Sequence, residues 1–344
     1  MTTPTGDDRA HLDRLLDAMT AAGVDALLLG HEDGIRWVTG ADRLRLTGTR
    51  PFAPACVVVR ATRTAHLLAT SDAGLPAFLD VDHVYGPSWD LVTLATRVAA
   101  VPGLARARTV GTDGTDPTVE DVLAAFLPVA TFVDAGPLLR GVRRRTSPAD
   151  RAGIAAAIGV AQRGLATVVG TVAPGVTERR LSGAFAGRIG RLGATMPAFA
   201  TATCVAGTAP RSFPGERTLA AGDLVTLRGG VVLDGWLGLV ARTRAVGGAT
   251  AGQVSAAEAA LETLRLVTTA CRPGRPVGSL RARPDVRAVD GLGTDLAPIG
   301  ADDPLAVDDV CWIEVAVDGV LLGDVVHVGA DATVPLTGVP YGLG

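Results

Sequence analysis

Apolar residues at Leu12, Leu15, Leu16 and Met19 recur at three- and four-residue intervals, so residues 11–22 are predicted as an amphipathic helix that Gly23 ends. Residues 25–29, 54–59 and 65–69 are short apolar runs of strand length. Further helices are predicted at 90–99 and 119–126. Alternation of helix and strand over this stretch is the pattern of a small α/β domain.

The pattern changes at Arg145-Thr146-Ser147-Pro148-Ala149-Asp150. Ser147 suits an N-cap and Pro148 the first helical position, and the Ala-rich sequence that follows predicts one long helix to about residue 172. A turn at Pro174-Gly175 separates it from a second long helix that starts near Thr177-Glu178. Strand-rich sequence occupies 196–246, a helix is predicted near 254–269, and strands run to the end. The reading is therefore an α/β (α+β) protein of two domains, 1–145 and 146–344.

Composition narrows the function classes. The chain has 344 residues, 48% of them hydrophobic, and a net charge of −3, which describes a soluble globular protein long enough for two cores. No basic block or arm supplies the footprint of a nucleic-acid binder; the cluster Arg140, Arg143, Arg144, Arg145 reads as a solvated domain junction. All 32 Lys+Arg residues are arginine, so Schiff-base and pyridoxal-phosphate chemistry are excluded. Cys56, Cys204, Cys271 and Cys311 show neither zinc-ligand nor CxxC spacing. The polar N-terminus and the lack of a long uninterrupted apolar run point to a cytoplasmic protein with no membrane partner.

Short matches in a fixed order then point to a family. Ile35-Arg36-Trp37-Val38-Thr39-Gly40 resembles an "I-x-Y-L-T-G" turn, and Val172-Ala173-Pro174-Gly175-Val176-Thr177-Glu178 resembles a "pG-x-T-E" link between two long helices. Gly222-Asp223-Leu224-Val225 starts a strand pair with a "D-G-Y"-like turn, Asp234-Gly235-Trp236, and an end at Arg242-Thr243. Arg272-Pro273-Gly274 follows the next helix. Together these resemble the creatinase/aminopeptidase P superfamily, whose Xaa-Pro peptidases have a small N-terminal domain and a C-terminal "pita-bread" domain.

The resemblance implies two divalent ions held by two Asp, one His and two Glu. In this chain those positions fall at Arg228, Leu239, Asp290, Glu314 and Gly323, so only the first Glu keeps its type. A guanidinium carries a fixed charge where a dication would sit, and the expectation is an Arg228–Glu314–Asp290 ion cluster with no metal and no other cofactor. The family's catalytic histidine belongs in a segment matched by Gly207-Thr208-Ala209-Pro210-Arg211-Ser212-Phe213-Pro214, which has none, and a second falls near Ala297. Between Gly274 and Asp290 the chain is short by about one helix relative to the family.

Candidate catalytic residues are Glu314 and Asp290 as an acid/base pair beside Arg228, His327 as a replacement acid/base group, and Cys204 as a thiolate nucleophile. Each has a structural alternative: a neutralised remnant, a packed histidine, an inert thiol. Candidate substrate-binding residues are Arg211, Trp312, Asp324 and Arg50, the last with Arg43 and Arg45 gripping a carboxylate across a homodimer of the kind the family forms. The leading expectation is a metal-independent enzyme performing C–N hydrolysis, elimination or cyclisation on a small carboxylate-bearing, amino-acid-like substrate. A non-catalytic peptide- or protein-binding pseudopeptidase is the alternative, and a metallopeptidase with a shifted metal site ranks last.

Overall fold

A computed structural model describes residues 8–41, 55–68, 75–76, 78–79, 84–85, 90–114, 116–194, 196–197, 203–206, 214–338 and 342–343. The chain divides into two compact units, Met1–Arg143 and Arg144–Gly344.

The first unit comprises α1 (Asp8–Ala22), β1 (Ala26–Leu29), α2 (Glu32–Thr39), β2 (Cys56–Val59), β3 (Thr64–Leu68), β4 (Val84–Tyr85), α3 (Leu91–Ala99), β5 (Thr109–Thr112), α4 (Pro117–Phe126), β6 (Thr131–Asp134) and α5 (Gly136–Arg144). The strands form one mixed sheet in the order β4-β3-β2-β1-β5-β6. Its core joins Ala26, Leu28, Val57 and Val59 of the sheet to Leu94, Val98, Val119 and Leu123 of α3 and α4. The apolar face of each helix follows the three- and four-residue spacing of its sequence.

The first unit departs from the sequence reading in three respects. The motif expected to form a turn at Ile35–Gly40 is the second half of α2, closed by Gly40 in the left-handed conformation. β5, β6 and α5 were not predicted, because each is short and carries Thr, Gly or Arg rather than a long apolar run. Two arginines of the basic cluster are also held in ion pairs, while Arg140 and Arg145 are exposed. Arg143 pairs with Asp33 at only 12% side-chain exposure, and Arg144 makes bonds of 2.6–3.0 Å to the fully buried Asp309.

The second unit contains α6 (Pro148–Val169), α7 (Glu178–Arg191), β7 (Met196–Pro197), β8 (Thr203–Ala206), β9 (Leu224–Leu233), β10 (Trp236–Ala245), α8 (Ala251–Ala270), α9 (Val277–Arg281), β11 (Val286–Leu292), β12 (Leu296–Ala297), β13 (Val310–Val317), β14 (Val320–Val328) and β15 (Thr333–Pro335). One sheet runs β12-β11-β13-β14-β10-β9-β7, with β15 on β14 and β8 on β9. Ser147 caps α6 in a full capping box with Asp150, and Pro148 stands in its first turn. By length and composition alone α6 is long and apolar enough to cross a membrane. Its Ala157, Val160, Ala161 and Leu165 are instead core residues of this unit.

Two hairpins bring the functional positions together. β9–β10 and β13–β14 each turn on an Asp-Gly pair, Asp234-Gly235 and Asp318-Gly319, with positive φ at both residues. That is the mirror-image turn whose twist suits adjoining strands. A two-residue loop fixes the register, and with it the face on which every side chain falls.

Candidate active site

Successive strand residues point to opposite faces, and directly paired residues share one. The register therefore aligns Ala288, Glu314, Gly323, Ala241 and Arg228 in a single row across β11, β13, β14, β10 and β9. The next row on the same face carries Asp290, Trp312 and Val325, continued by Leu239 and Gly230. All five positions that the resemblance assigns to metal ligands thus lie on one face within two neighbouring rows. The other face packs against α6 and α7 on one side, and against α8 and α9 on the other.

Arg228 Nη2 and Glu314 Oε1 form an ion pair across that face, although β10 and β14 lie between their strands. Three strand spacings separate the two backbones by about 14 Å in a flat sheet. The two positions between them in the row are Ala241 and Gly323, which carry little or no side chain. Glu314 is the buried partner, with 7% side-chain exposure against 41% for Arg228. Burial pushes the Glu314 carboxyl above its ordinary range, Arg228 pulls it down, and the charge of Asp290 adds to the upward push.

Gly323 is closed to any side chain. A Cβ there would lie 2.2 Å from Cη2 of Trp312 and 3.0 Å from Cβ of Ala241. The indole therefore occupies the space that a residue at 323 would use. Trp312 belongs to an apolar cluster with Leu237, Leu239, Ala241, Leu292, Val310, Leu321 and Val325, joined by Ile154 and Ile158 of α6. Two of the five ligand positions, Leu239 and Gly323, are thus committed to this packing.

The expected three-member ion cluster is corrected to two separate pairs. Asp290 is bonded to Arg281 Nη2 at 2.6 Å, and Arg281 also donates to the carbonyls of Ile299 and Val289. Arg281 was missed because it lies nine residues away in a five-residue helix, with no pattern linking it to the strand. His327 shares the face of Gly323 but stands four residues along β14, about 13 Å away at strand spacing. Its Nε2 meets Asp308 Oδ1 at 3.1 Å, the same oxygen that accepts from Arg151 at 2.9 Å. It is not assembled with Glu314.

Asp324 does not reach this face. It is 2% exposed, on the opposite side of β14, and accepts from Arg242 Nη2 at 2.8 Å. Arg242 is fully buried and also donates to the carbonyls of Ala241 and Gly323. The expectation that Asp324 meets substrate is corrected: the one-residue step from Gly323 inverts its direction. Cys204 lies on β8 opposite Leu227. Arg211, Arg50, Arg43 and Arg45 lie outside the described residues.

The side chains at the five positions do not fit two divalent ions. One is a cation, two offer no donor atom, and the two carboxylates are engaged by different arginines. Among the described residues no group of three or more His, Cys, Asp or Glu side chains is gathered to hold a metal.

Comparison with known proteins identifies the scaffold. Residues 11–145 match the Creatinase/Prolidase N-terminal domain, and residues 152–289 match the metallopeptidase family M24. This chain belongs to the creatinase/aminopeptidase P superfamily. Solved structures of the superfamily share its fold over nearly their whole length. The prolidase from Pyrococcus horikoshii has a TM-score of 0.78 at 16% identity, covering 97% of this chain and 99% of that one. Dipeptidase PepE from Mycobacterium ulcerans gives 0.76 at 20% identity, covering 100% and 99%. The X-Pro aminopeptidase from Thermotoga maritima gives 0.77 at 15% identity, covering 96% and 98%. Comparison with curated proteins gives no match.

Proposed function

We propose that this chain uses its Xaa-Pro-peptidase-like scaffold without the two metal ions of the family. In this reading it binds a small carboxylate-bearing, amino-acid-like molecule at Arg228 and uses Glu314 for proton transfer. The Arg228–Glu314 ion pair carries the reading, because it sets a fixed positive charge at one metal-ligand position and ties it to the one retained carboxylate.

The chemistry follows from the unequal burial of the pair. Arg228 is the accessible member, and a guanidinium fork suits a carboxylate. A substrate carboxylate that draws Arg228 away leaves Glu314 buried without its counter-charge. Its proton affinity then rises at the moment a substrate proton is within reach. Proton abstraction of this kind opens an elimination, a cyclisation or, with water, a C–N hydrolysis. Trp312 supplies an apolar wall; Asp290, held by Arg281, supplies a second carboxylate, with Cys204, His327, Arg211 and Arg50 as further candidates. A homodimer in the cytoplasm is part of the same reading.

A second reading, a non-catalytic binding protein, is favoured by one observation: the apolar cluster around Trp312 and Leu239 fills part of the candidate face. Metal analysis of the purified protein, followed by a thermal-shift screen of small amino-acid derivatives, separates the readings. The proposal expects less than one metal per chain and stabilisation by carboxylate-bearing compounds that is lost in Arg228→Met. Conversion of a stabilising compound should disappear in Glu314→Gln. Two ions per chain would sink the metal-free reading. Binding without turnover would favour the binding protein.

A further inference from the structure

The face of the sheet opposite the candidate site holds a guanidinium with no ion pair among the described residues. Arg244 lies on β10 directly across from Val225, with Arg242 and Val246 as its same-face neighbours along the strand. Val225, Arg242 and Val246 are all fully buried, and Arg244 itself is only 6% exposed. Its Nε and Nη1 are buried and have no hydrogen-bond partner. Asp324 on β14 is bonded to Arg242, which also takes the carbonyls of Ala241 and Gly323, and no carboxylate among the described residues pairs with Arg244. Among the described residues Arg244 therefore has no counter-charge of its own.

The other buried charges of this unit show how unusual that is. Asp150 closes the capping box of α6, and Glu178 accepts from the Gly215 amide. Asp309 is held by Arg144, Glu314 by Arg228, and Asp324 by Arg242. Buried charges are normally paired in this way, because an unpaired one bears the full cost of leaving water. Burial and the repulsion of Arg242 both push the proton affinity of Arg244 down, yet a guanidinium stays charged at any working pH.

We propose that Arg244 anchors a second binding site, for a small singly charged oxyanion, on the helix-covered face of the C-terminal sheet. One unmatched positive charge calls for a monoanion. The planar fork with its unused N–H donors matches the oxygens of a carboxylate or of inorganic phosphate. The apolar neighbours Val225 and Val246 and the low exposure of Arg244 limit the ligand to a small one. The site is separate from Arg228, whose side chain emerges on the other face of the sheet.

The test is the melting temperature of the full-length protein titrated with acetate and, separately, with phosphate, at ionic strength held constant with chloride. A saturable rise over the chloride reference is expected in the wild type; with phosphate it should persist in Arg228→Met and vanish in Arg244→Met, and with acetate, which also suits Arg228, it should vanish only when both arginines are replaced. Without oxyanion, Arg244→Met should melt at or above the wild type; with oxyanion the order should reverse. Saturation by acetate alone, kept in Arg228→Met, would identify the ligand as a carboxylate, and by phosphate alone as phosphate. If Arg244→Met fails to fold, Arg244→Lys keeps the charge without the fork. Its saturation midpoint should rise about tenfold, the equivalent of one charge-assisted hydrogen bond. A flat response in the wild type, the same phosphate response in Arg244→Met, or an unchanged midpoint in Arg244→Lys would overturn the site. A response lost in Arg228→Met but kept in Arg244→Met would assign the anion to Arg228.

Discussion

At Arg228 and Glu314 two mutations of one ion pair should have unequal effects. Arg228→Met leaves a buried carboxylate without its partner and should cost about 3 kcal/mol at neutral pH. Glu314→Gln leaves a guanidinium that reaches water, so it should cost no more than about 1 kcal/mol. The pH dependence has a definite sign. The folded-state pKa of Glu314 is raised by burial, so its contribution is most favourable below the unfolded value, about 4.3, and is lost as pH rises through the folded value. Removing Arg228 raises that folded value further. The deficit of Arg228→Met should therefore be largest near pH 8 and shrink toward pH 4, measured by urea unfolding at both ends. A deficit that grew on acidification would refute the assignment.

Gly323 gives a second residue-level expectation. Gly323→Ala should lose about 2–3 kcal/mol, because its methyl group meets the Trp312 ring. Trp312→Val in the same chain should recover part of that loss, and the coupling in a double-mutant cycle measures the contact. Additive effects would show that the indole does not sit over residue 323. Of these residues, Arg228 and Glu314 were legible through the resemblance to the family's ligand positions, and Trp312 because strand alternation puts it on the face of Glu314. Their partners were less so. Arg281 comes to Asp290 through the path of a short helix, and Asp324, expected to meet substrate, lies on the opposite face of β14 from Gly323.

At the scale of elements, α6 lies so close to β10 that Gly238 has no room for a methyl group. A Cβ there would stand 2.2 Å from the backbone carbon of Ala157. Neither backbone can move without disturbing its own hydrogen bonds, so Gly238→Ala should destabilise by more than about 3 kcal/mol. Thermal unfolding of the purified variant checks this; a loss below about 1 kcal/mol would mean that the helix can slide. The long helices and the β9–β10 hairpin were legible because their signals are local: an N-cap at Ser147 followed by Pro148, and an Asp-Gly turn between apolar runs. The family motifs were readable for a related reason. Gly40 and Gly175 hold φ values of 65° and 87°, where a side chain is strained. β5 and β6 gave no such signal. Four-residue strands with Thr at the start and Asp near the end are specified by the neighbours they pair with, not by their own sequence.

For the whole molecule, each unit has a core of its own, one around Leu28 and Val57 and others around Ile313 and Leu227. Unfolding should depart from a single two-state step, with a calorimetric enthalpy larger than the van't Hoff enthalpy. Equal enthalpies would show the units to be energetically fused. The overall architecture was legible because matches in a constant order span both units. The chemistry was legible only as a departure from that order, since the sequence identifies the five positions but not the arginines and apolar side chains that now engage them.

The indole over Gly323 also has a consequence for descent. A substitution that puts a glutamate at 323 while Trp312 remains meets a ring 2.2 Å from its first side-chain atom. One that puts an aspartate at 228 leaves Glu314 facing a second negative charge in place of a cation. Each single step toward a carboxylate-rich face is thus less fit to fold than the chain as it stands, and only several changes made together cross the gap. The protein is held on its present side of that divide by packing and charge, whatever selection on its activity demands.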